Sequence, residues 1–311
     1  MRVLVLGGCG FIGRHVVSSL SSDGIESVVF DMNADSDCSS AISTFVKGSF
    51  TDANQLETVI RQSSISHIIH LISTTLPKSS NDDMKYDIKS NVIGTLSLLE
   101  LCVKYKIKKI LFMSSGGTIY GPPKSVPVSE THATEPICSY GISKLAIEKY
   151  LGLYKHLHGL NYVVLRAANP YGPGQNPFSG QGVIANFVHR IHCGLQVEIW
   201  GNGSIIRDYF DVRDLAKLAK LALLASGGGI YNAGSGLGVS INNLLALVAR
   251  KCNVTPTVLY KDQRKLDVPT VILNCEAAKR KFGWHATISL QDGISDYIAW
   301  YQATFNQAQI R

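Results

Sequence analysis

The chain has 311 residues, of which 45% are hydrophobic and 17% are charged. This length suits two domains, or one α/β domain with a smaller lobe, and the composition excludes a disordered chain. The net charge of +7 favours anionic partners, but the basic residues are scattered, which argues against nucleic acid. Glycines interrupt the apolar N-terminus, and no apolar run approaches the ~20 residues that span a bilayer. We therefore expect a soluble, cytoplasmic protein that binds no membrane.

Cysteine and histidine show no pattern typical of a disulfide framework or a metal site. The seven cysteines are odd in number, widely spaced and free of any CxxC pair, as expected for reduced thiols. Three histidine pairs (67/70, 156/158 and 189/192) lie in segments with strand or helix periodicity. We therefore expect structural histidines and no metal ion.

The first half of the chain alternates short, β-rich apolar runs with helical stretches. The predicted strands are Val3–Leu6, Ser27–Phe30, Thr44–Lys47, His67–Ser73, Lys109–Ser114 and Tyr162–Arg166. The predicted helices between them are Phe11–Leu20, Asp52–Gln62, Met84–Lys106 and Tyr140–His158. This alternation predicts an α/β fold with a doubly wound parallel sheet that helices cover on both faces.

Beyond Asn169 the sequence becomes irregular and rich in glycine and proline. Further helices are predicted at Gly182–Cys193 and Arg213–Leu224, and strands at Val197–Trp200 and Ile230–Ala233. We expect the last helix and strand to return to the first domain, which makes the smaller C-terminal lobe discontinuous. The first domain then comprises residues 1–168 plus about 208–235, and the lobe comprises about 169–207 plus 236–311.

A glycine-rich turn lies directly after the first strand and opens the first helix, with the sequence Gly-Gly-Cys-Gly-Phe-Ile-Gly over residues 7–13. Glycine permits a tight turn and lets the backbone approach a pyrophosphate, while the helix N-terminus offers free N–H groups to phosphate oxygens. The pattern predicts a Rossmann dinucleotide site. Its expected contacts are Gly7, Gly10, Phe11, Ile12 and Gly13.

An acidic residue, Asp31, ends the second strand about 20 residues beyond the turn. A carboxylate at this place binds the ribose 2′-hydroxyl of NAD and repels the 2′-phosphate of NADP. The cofactor is therefore predicted to be NAD.

A tyrosine and a lysine, Tyr140 and Lys144, are four residues apart on a predicted helix and hence on one face. A free tyrosine has a pKa near 10 and is a poor base at neutral pH. A lysine cation and the positive nicotinamide ring would favour the phenolate, and a shift of ~3 units requires roughly 4 kcal/mol. The pair predicts proton transfer at an alcohol carbon.

These motifs, in this order, resemble the extended short-chain dehydrogenase/reductases, and among them the nucleotide-sugar 4-epimerases of UDP-galactose 4-epimerase type. The resemblance covers nearly the whole chain. It includes further segments at 91–95, 114–121, 166–173, 200–203, 207–209 and 264–267.

The resemblance implies roles for particular residues. Tyr140 takes the proton of the sugar 4-hydroxyl while hydride passes to NAD, and Lys144 binds the nicotinamide ribose. Asn169 contacts the diphosphate region, and Arg207 and Arg264 pair with the diphosphate. The 4-keto sugar then turns over and takes the hydride back on its other face. Further implied cofactor contacts are Ser49, Phe50, Asn91 and Ser114.

The resemblance also implies a UDP-sugar substrate and a homodimer. The dimer contacts would come from the helices near 91–106 and 142–158, although the apolar faces there equally suit packing on the sheet. Related epimerases exclude an N-acetyl group with a bulky residue seven positions after the arginine that is Arg264 here. Val271 stands at this place, so we expect the pocket to admit UDP-N-acetylglucosamine or UDP-N-acetylgalactosamine, and we favour these substrates over UDP-glucose and UDP-galactose.

The chain departs from the family pattern at Gly116, where a catalytic Ser or Thr is usual. The nearest hydroxyls belong to Thr118 and Ser115. We assign Thr118 as the donor to the sugar oxygen and Ser115 as a supporting group. In addition, Ser49 replaces an aspartate that often contacts adenine.

Other functions remain as alternatives. A 4,6-dehydratase or a decarboxylase usually has acidic residues where Gly116 and Gly117 stand. A nucleotide 4-ketosugar reductase would share Tyr140 and Lys144 but would consume NADH. An NAD-sensing binding protein that has lost catalysis is the alternative outside enzymes, and the intact Tyr140 and Lys144 argue against it.

Overall fold

A seven-stranded parallel sheet forms the larger part of the protein, of which a computed structural model describes residues 1–33, 44–263 and 268–305. Its strands are β1 (Arg2–Leu6), β2 (Glu26–Asp31), β3 (Thr44–Lys47), β4 (His67–His70), β5 (Lys109–Ser115), β6 (Asn161–Ala167) and β10 (Gly229–Ala233). Their order is β10–β6–β5–β4–β1–β2–β3, with every pair parallel. The predicted doubly wound fold is thus confirmed, and the strand order reverses between β1 and β4, where such sheets bind ligands.

Helices cover both faces of this sheet. The helices of the chain are α1 (Phe11–Ser21), α2 (Ala53–Gln62), α3 (Met84–Asp87), α4 (Gly94–Lys104), α5 (Ser139–His158), α6 (Val183–His192), α7 (Val212–Leu224), α8 (Ile241–Cys252), α9 (Glu276–Phe282) and α10 (Leu290–Thr304). In β1, Val3 and Val5 point into the core under α1 and α7, whereas Leu4 and Leu6 point into the core under α2, α4 and α5. This alternation is the period of a strand buried on both faces.

The predicted long helix Met84–Lys106 is interrupted. A π-helical segment, Ile88–Ile93, joins α3 to α4. It coincides with the buried polar side chains of Asp87, Ser90 and Asn91, and such segments are common at functional sites. Apolar periodicity does not reveal this change because the apolar residues continue on both sides of it.

A smaller lobe follows, built from short strands and three helices. Its strands are β7 (Asn169–Tyr171), β8 (Val197–Trp200), β9 (Ile206–Asp211), β11 (Gly238–Ser240), β12 (Val258–Lys261) and β13 (Thr270–Val271). β9 pairs with β7, β11 and β13, while β8 pairs with β12. α6, α8 and α10 enclose a separate apolar core, whereas α7 packs on α1 and β10 joins the large sheet.

Cysteines and possible metal ligands are dispersed. Six cysteines of the described residues form no disulfide bond. Within residues 1–33, 44–263 and 268–305, no group of three or more histidine, cysteine, aspartate or glutamate side chains could hold a metal ion. None of the described helices combines the length and apolarity needed to cross a membrane.

Candidate active site

A cleft of about 1080 Å³ lies between the carboxyl ends of the large sheet and the smaller lobe. One wall carries Phe11 and Ile12 from the start of α1, and Tyr140 and Lys144 from α5. The opposite wall comes from the lobe. Its polar side chains include Asn169, Gln175, Asn186, Arg190, Glu198 and Arg207.

The glycine turn has the shape that a dinucleotide requires. Gly7 has a φ of +80°, which a side chain would strain. A β-carbon at Gly13 would lie 2.1 Å from the Gly7 carbonyl oxygen, so only glycine lets α1 begin this close to β1. The Gly10 N–H donates to the same oxygen at 3.1 Å. The turn therefore leaves room for a pyrophosphate to approach the backbone at the N-terminus of α1.

Asp31 lies beside this turn at the end of β2. One carboxylate oxygen accepts the Cys9 N–H at 3.0 Å, and the other accepts the Met32 N–H at 2.8 Å. The carboxylate is therefore held next to the turn, in a position that fits a ribose hydroxyl donor. The turn and Asp31 together fit NAD.

Three other predicted cofactor contacts lie away from the cleft wall. Ser49 follows β3 and its hydroxyl contacts that of Thr51 at 2.9 Å. Phe50 is buried, and its ring centroid is 4.8 Å from that of His70. The Asn91 amide is also buried and is hydrogen-bonded within the protein, to the Thr74 N–H and the Asp87 carboxylate. The structure thus gives the Asn91 side chain internal partners and no place among the residues that line the cleft.

Ser114 lies on the cleft wall above a buried ion pair. Its hydroxyl donates to Glu148 at 2.5 Å. The same carboxylate receives the Arg166 guanidinium, with Nη2 to Oε2 at 2.6 Å. Arg166 also donates to the Tyr120 hydroxyl at 3.0 Å. Ser114 therefore belongs to a buried network that joins β5, α5 and β6.

Tyr140, Lys144 and Ser115 meet in the cleft. Ser115 hydrogen-bonds to the Tyr140 phenol. The Lys144 ammonium is 5.5 Å from the Tyr140 ring centroid and donates to the Met113 carbonyl at 2.9 Å. It also lies 4.6 Å from the Phe112 ring centroid. A phenol and an ammonium are thus held side by side at the carboxyl end of β5.

The pKa values of this pair differ from the expectation. Burial, together with the charges of Cys138 and Asp87, raises the pKa of the Tyr140 phenol, and only the Ser115 hydrogen bond lowers it. Burial also lowers the pKa of Lys144 to about 8. Among the protein's own groups, desolvation dominates the pKa of the Tyr140 phenol. The lowering of this pKa by Lys144 together with the nicotinamide ring stays a prediction.

Thr118 lies in the same cleft with an unused hydroxyl. Its oxygen is buried and has no hydrogen-bond partner among the described residues. A buried, unpaired hydroxyl is costly unless a ligand completes it. Thr118 and Ser115 both line the cleft that also contains Tyr140.

The predicted substrate contacts divide into three groups. Asn169 and Arg207 line the cleft; the Asn169 amide donates to the Asp208 carbonyl at 2.9 Å, and Arg207 donates to the Ile206 carbonyl at 2.9 Å. Val271 is only 2% exposed, packs in the core and is not among the described lining residues. Arg264 lies outside the described residues.

The sequence reasoning missed an acidic residue beneath the site. Asp87 is fully buried and accepts hydrogen bonds from Ser139 at 2.8 Å and Ser143 at 2.6 Å. These serines immediately precede Tyr140 and Lys144 along α5. The four-residue spacing of Ser139 and Ser143 can be seen in the sequence. The sequence does not show that both serines donate to one buried carboxylate from another helix.

Comparisons with known proteins agree with this architecture. A model of the NAD dependent epimerase/dehydratase family matches residues 3–234. A putative UDP-glucose 4-epimerase of Methanocaldococcus jannaschii is 33% identical over 300 residues, which are 96% of this chain and 97% of that protein. A dTDP-4-dehydro-6-deoxyglucose reductase of Escherichia coli is 32% identical over 305 residues, with 95% and 96% coverage.

Solved structures give the same result. The UDP-glucose 4-epimerase of Thermotoga maritima, crystallised with UDP-glucose, matches with a TM-score of 0.94 and 36% identity. The match covers 98% of this chain and 99% of that one. The glycine turn, Asp31, Tyr140 and Lys144 all lie within the matched residues 3–234, and the match confirms the resemblance drawn from these motifs. The chain belongs to the NAD-dependent epimerase/dehydratase family, and its cofactor is NAD.

Proposed function

We propose that the protein is a UDP-sugar 4-epimerase that interconverts UDP-glucose and UDP-galactose with tightly held NAD. The observation that carries the proposal is the meeting of Tyr140, Ser115 and Lys144 in one cleft beside the dinucleotide turn. The epimerases that the chain resembles support the choice of reaction.

Tyr140 acts as the base and then as the acid. Its phenolate takes the proton of the sugar 4-hydroxyl and later returns it to the same oxygen. The chemistry that bound NAD supplies is reversible hydride acceptance at C4, together with positive charge that favours the phenolate. Lys144 holds the nicotinamide ribose, and the Thr118 hydroxyl donates to the sugar oxygen. Ser115 keeps the phenol directed at the substrate.

The lobe, about 169–207 plus 236–311, holds the UDP group. Asn169 and Arg207 lie on its wall, and we assign the diphosphate to them together with Arg264. Binding through the nucleotide leaves the sugar free to present either face to Tyr140. That freedom is what separates an epimerase from a dehydrogenase, because hydride must leave one face and return to the other.

The choice of sugar rests on the cleft wall. The argument for acetamido sugars required Val271 on that wall, but Val271 is not among the residues that line the cleft. Val268, close by in sequence, lines the cleft instead. We therefore place UDP-glucose and UDP-galactose first and UDP-N-acetylglucosamine and UDP-N-acetylgalactosamine second.

The decisive experiment incubates the purified protein, without added cofactor, with UDP-glucose, UDP-galactose and the two acetamido sugars. We expect epimers to form with no net change in NADH absorbance, and Tyr140→Phe to abolish turnover. Turnover of the acetamido pair alone would reverse the order of substrates. Stoichiometric consumption of NADH with a nucleotide 4-ketosugar would instead identify a reductase, an activity that one relative carries. Bound NAD without any exchange at C4 would indicate a sensor.

We also propose a homodimer through α4 and α5. The π-helical segment directly before α4 exposes Ile93 (53%), and α5 exposes Ile142 (54%) and Leu157 (59%). In water such a face favours burial against a second copy. Sedimentation velocity should give a dimer, and Leu157→Lys should shift it towards monomer. The control is Leu237→Lys, at an exposed apolar residue away from these helices. A monomeric wild type would overturn the proposal.

A further inference from the structure

The Asp87 carboxylate is a buried hub between three elements. It lies at the end of α3 and is 0% exposed. One oxygen accepts from the Thr75 hydroxyl and from the Asn91 amide, the latter at 3.0 Å. The other accepts from Ser139 and Ser143 at 2.8 and 2.6 Å. The carboxylate thus ties the loop after β4 and the π-helical segment to the first turns of α5.

The start of α5 depends on such contacts. Its N-cap residue, Cys138, makes no side-chain cap. The loop after β4 replaces that cap, because Asn81 accepts the Ser139 N–H at 2.9 Å and Ser80 accepts the Tyr140 N–H at 3.0 Å. The position of α5 is therefore set by polar contacts with the same loop that Asp87 holds.

The geometry of a helix links these contacts to the catalytic pair. Ser139 and Ser143 lie on one face, and Tyr140 and Lys144 follow each of them by one residue, about 100° further round. A tyrosine hydroxyl stands roughly 8 Å from the helix axis, so a rotation of about 7° moves it by about 1 Å. A displacement of that size can reduce turnover by about 10²-fold.

We propose that Asp87 is a positioning residue, which fixes the rotation of α5 and thereby aims Tyr140 and Lys144 at the reacting atoms. The proposal rests on the proposed epimerase function for its kinetic test only. Asp87 touches neither side chain of the catalytic pair through any hydrogen bond in the described part of the chain; it acts through Ser139 and Ser143.

The charges around Lys144 support this assignment. Burial lowers its pKa to about 8, and the charges of Asp87 and Glu148 oppose that shift. Glu148 is already paired with Arg166, and burial lowers the pKa of His70, which also faces Lys144, to about 3. Among the described residues Asp87 has no ion-pair partner, so it is the uncompensated negative charge near Lys144.

The first test measures kcat and KM of Asp87→Asn from pH 6 to 10. The amide keeps the size of the side chain but cannot accept from four donors. We expect the plateau of kcat to fall by about 10²-fold with little change in KM. The matched control is Asp214→Asn, because Asp214 is also buried and accepts from Thr287 and Ile288 away from the cleft. It should lose stability but keep kcat.

A second variant covers the case in which Asp87→Asn does not fold. Ser139→Ala/Ser143→Ala removes only the two donors from α5 and leaves the charge in place. We expect kcat to fall at least tenfold without a shift of the pH profile. An unchanged kcat in this variant, or an equal loss in Asp214→Asn, would overturn the proposal.

A measurement that does not need catalytic activity tests the role of Asp87 independently of the proposed function. A crystal structure of Asp87→Asn should show the Tyr140 phenol displaced by about 1 Å. If the wild type epimerises no sugar, the proposed function fails and this structure still decides on Asp87. An undisplaced phenol would contradict positioning.

Discussion

The Leu273 side chain fills the space next to Gly116 where a side chain would begin. A β-carbon at Gly116 would lie 2.5 Å from Leu273 Cδ1 and 3.0 Å from the Arg166 carbonyl oxygen. Leu273 is itself fully buried. The Leu273 side chain, from the residues after β13, therefore occupies the space that a serine or threonine side chain at position 116 would need.

We predict that Gly116→Ser, which restores the residue type usual in the family, harms the protein. Overpacking should reduce the free energy of unfolding by about 1–3 kcal/mol and reduce turnover. Adding Leu273→Ala should recover part of this loss, although Leu273→Ala alone costs about 2–5 kcal/mol. Urea unfolding of both single variants and the double variant gives the coupling energy. Strictly additive losses would mean that the two positions do not compete for space.

The unused Thr118 hydroxyl predicts a separation of activity from stability. Thr118→Val keeps the shape and removes a buried group without a partner among the described residues, so the melting temperature should stay or rise. If the hydroxyl donates to the sugar oxygen, kcat should fall by about 10²-fold. Thr287→Val is the control, since its hydroxyl bonds Asp214 at 2.9 Å; it should lose stability and keep kcat. Full turnover by Thr118→Val would remove this residue from the mechanism.

The buried ammonium of Lys144 predicts a pH-dependent stability. Folding lowers its pKa from 10.5 to about 8, so the unfolded chain binds the proton more tightly. The burial of the protonated Lys144 side chain reduces the free energy of unfolding most below pH 8. This loss diminishes as the pH rises towards 10.5. Relative to Lys144→Met, the wild type should gain about 2 kcal/mol between pH 7 and pH 9.5. Chemical denaturation of both proteins at the two pH values checks this. A constant difference would show that Lys144 titrates normally.

The buried ion pair of Glu148 with Arg166 predicts that removing either charge alone destabilises the folded protein. Both side chains are almost completely buried. Arg166→Met leaves the carboxylate without its cation and should cost about 3–5 kcal/mol of unfolding free energy. The double variant Glu148→Gln/Arg166→Met should cost less than the sum of the two single variants. A loss below about 1 kcal/mol for Arg166→Met would contradict this account.

The large sheet could be predicted because its strands and helices have local sequence signals, namely apolar runs, turn residues and helix caps. Thr44–Lys47 has the same bounds in the prediction and in the structure, and Asp52 is the N-cap of its helix, where its side chain accepts from the Asn54 and Gln55 N–H groups. The lobe was harder. β9 carries the charged residues Arg207, Asp208 and Asp211. Its pairing with β7, β11 and β13 depends on residues far away in sequence. Such pairings leave no periodic signal.

The candidate site divides in the same way. The glycine turn, Asp31, Tyr140 and Lys144 could be identified because their spacing along the chain reflects their chemistry. The internal role of Asn91 and the burial of Val271 could not, because both depend on which way a side chain turns in a folded environment. The raised pKa of Tyr140 depends on burial, which the spacing of Tyr140 and Lys144 does not express.

The Asp31 carboxylate has a consequence for attempts to engineer a different cofactor preference. It accepts the Cys9 N–H of the glycine turn at 3.0 Å, so the group that would reject a phosphorylated ribose also braces the loop that receives the pyrophosphate. Replacing Asp31 with a small neutral residue would make room for the 2′-phosphate of NADP. The same change would remove the hydrogen bond that holds the glycine turn in place. A switch to NADP should therefore need a second substitution that gives the Cys9 amide a new acceptor.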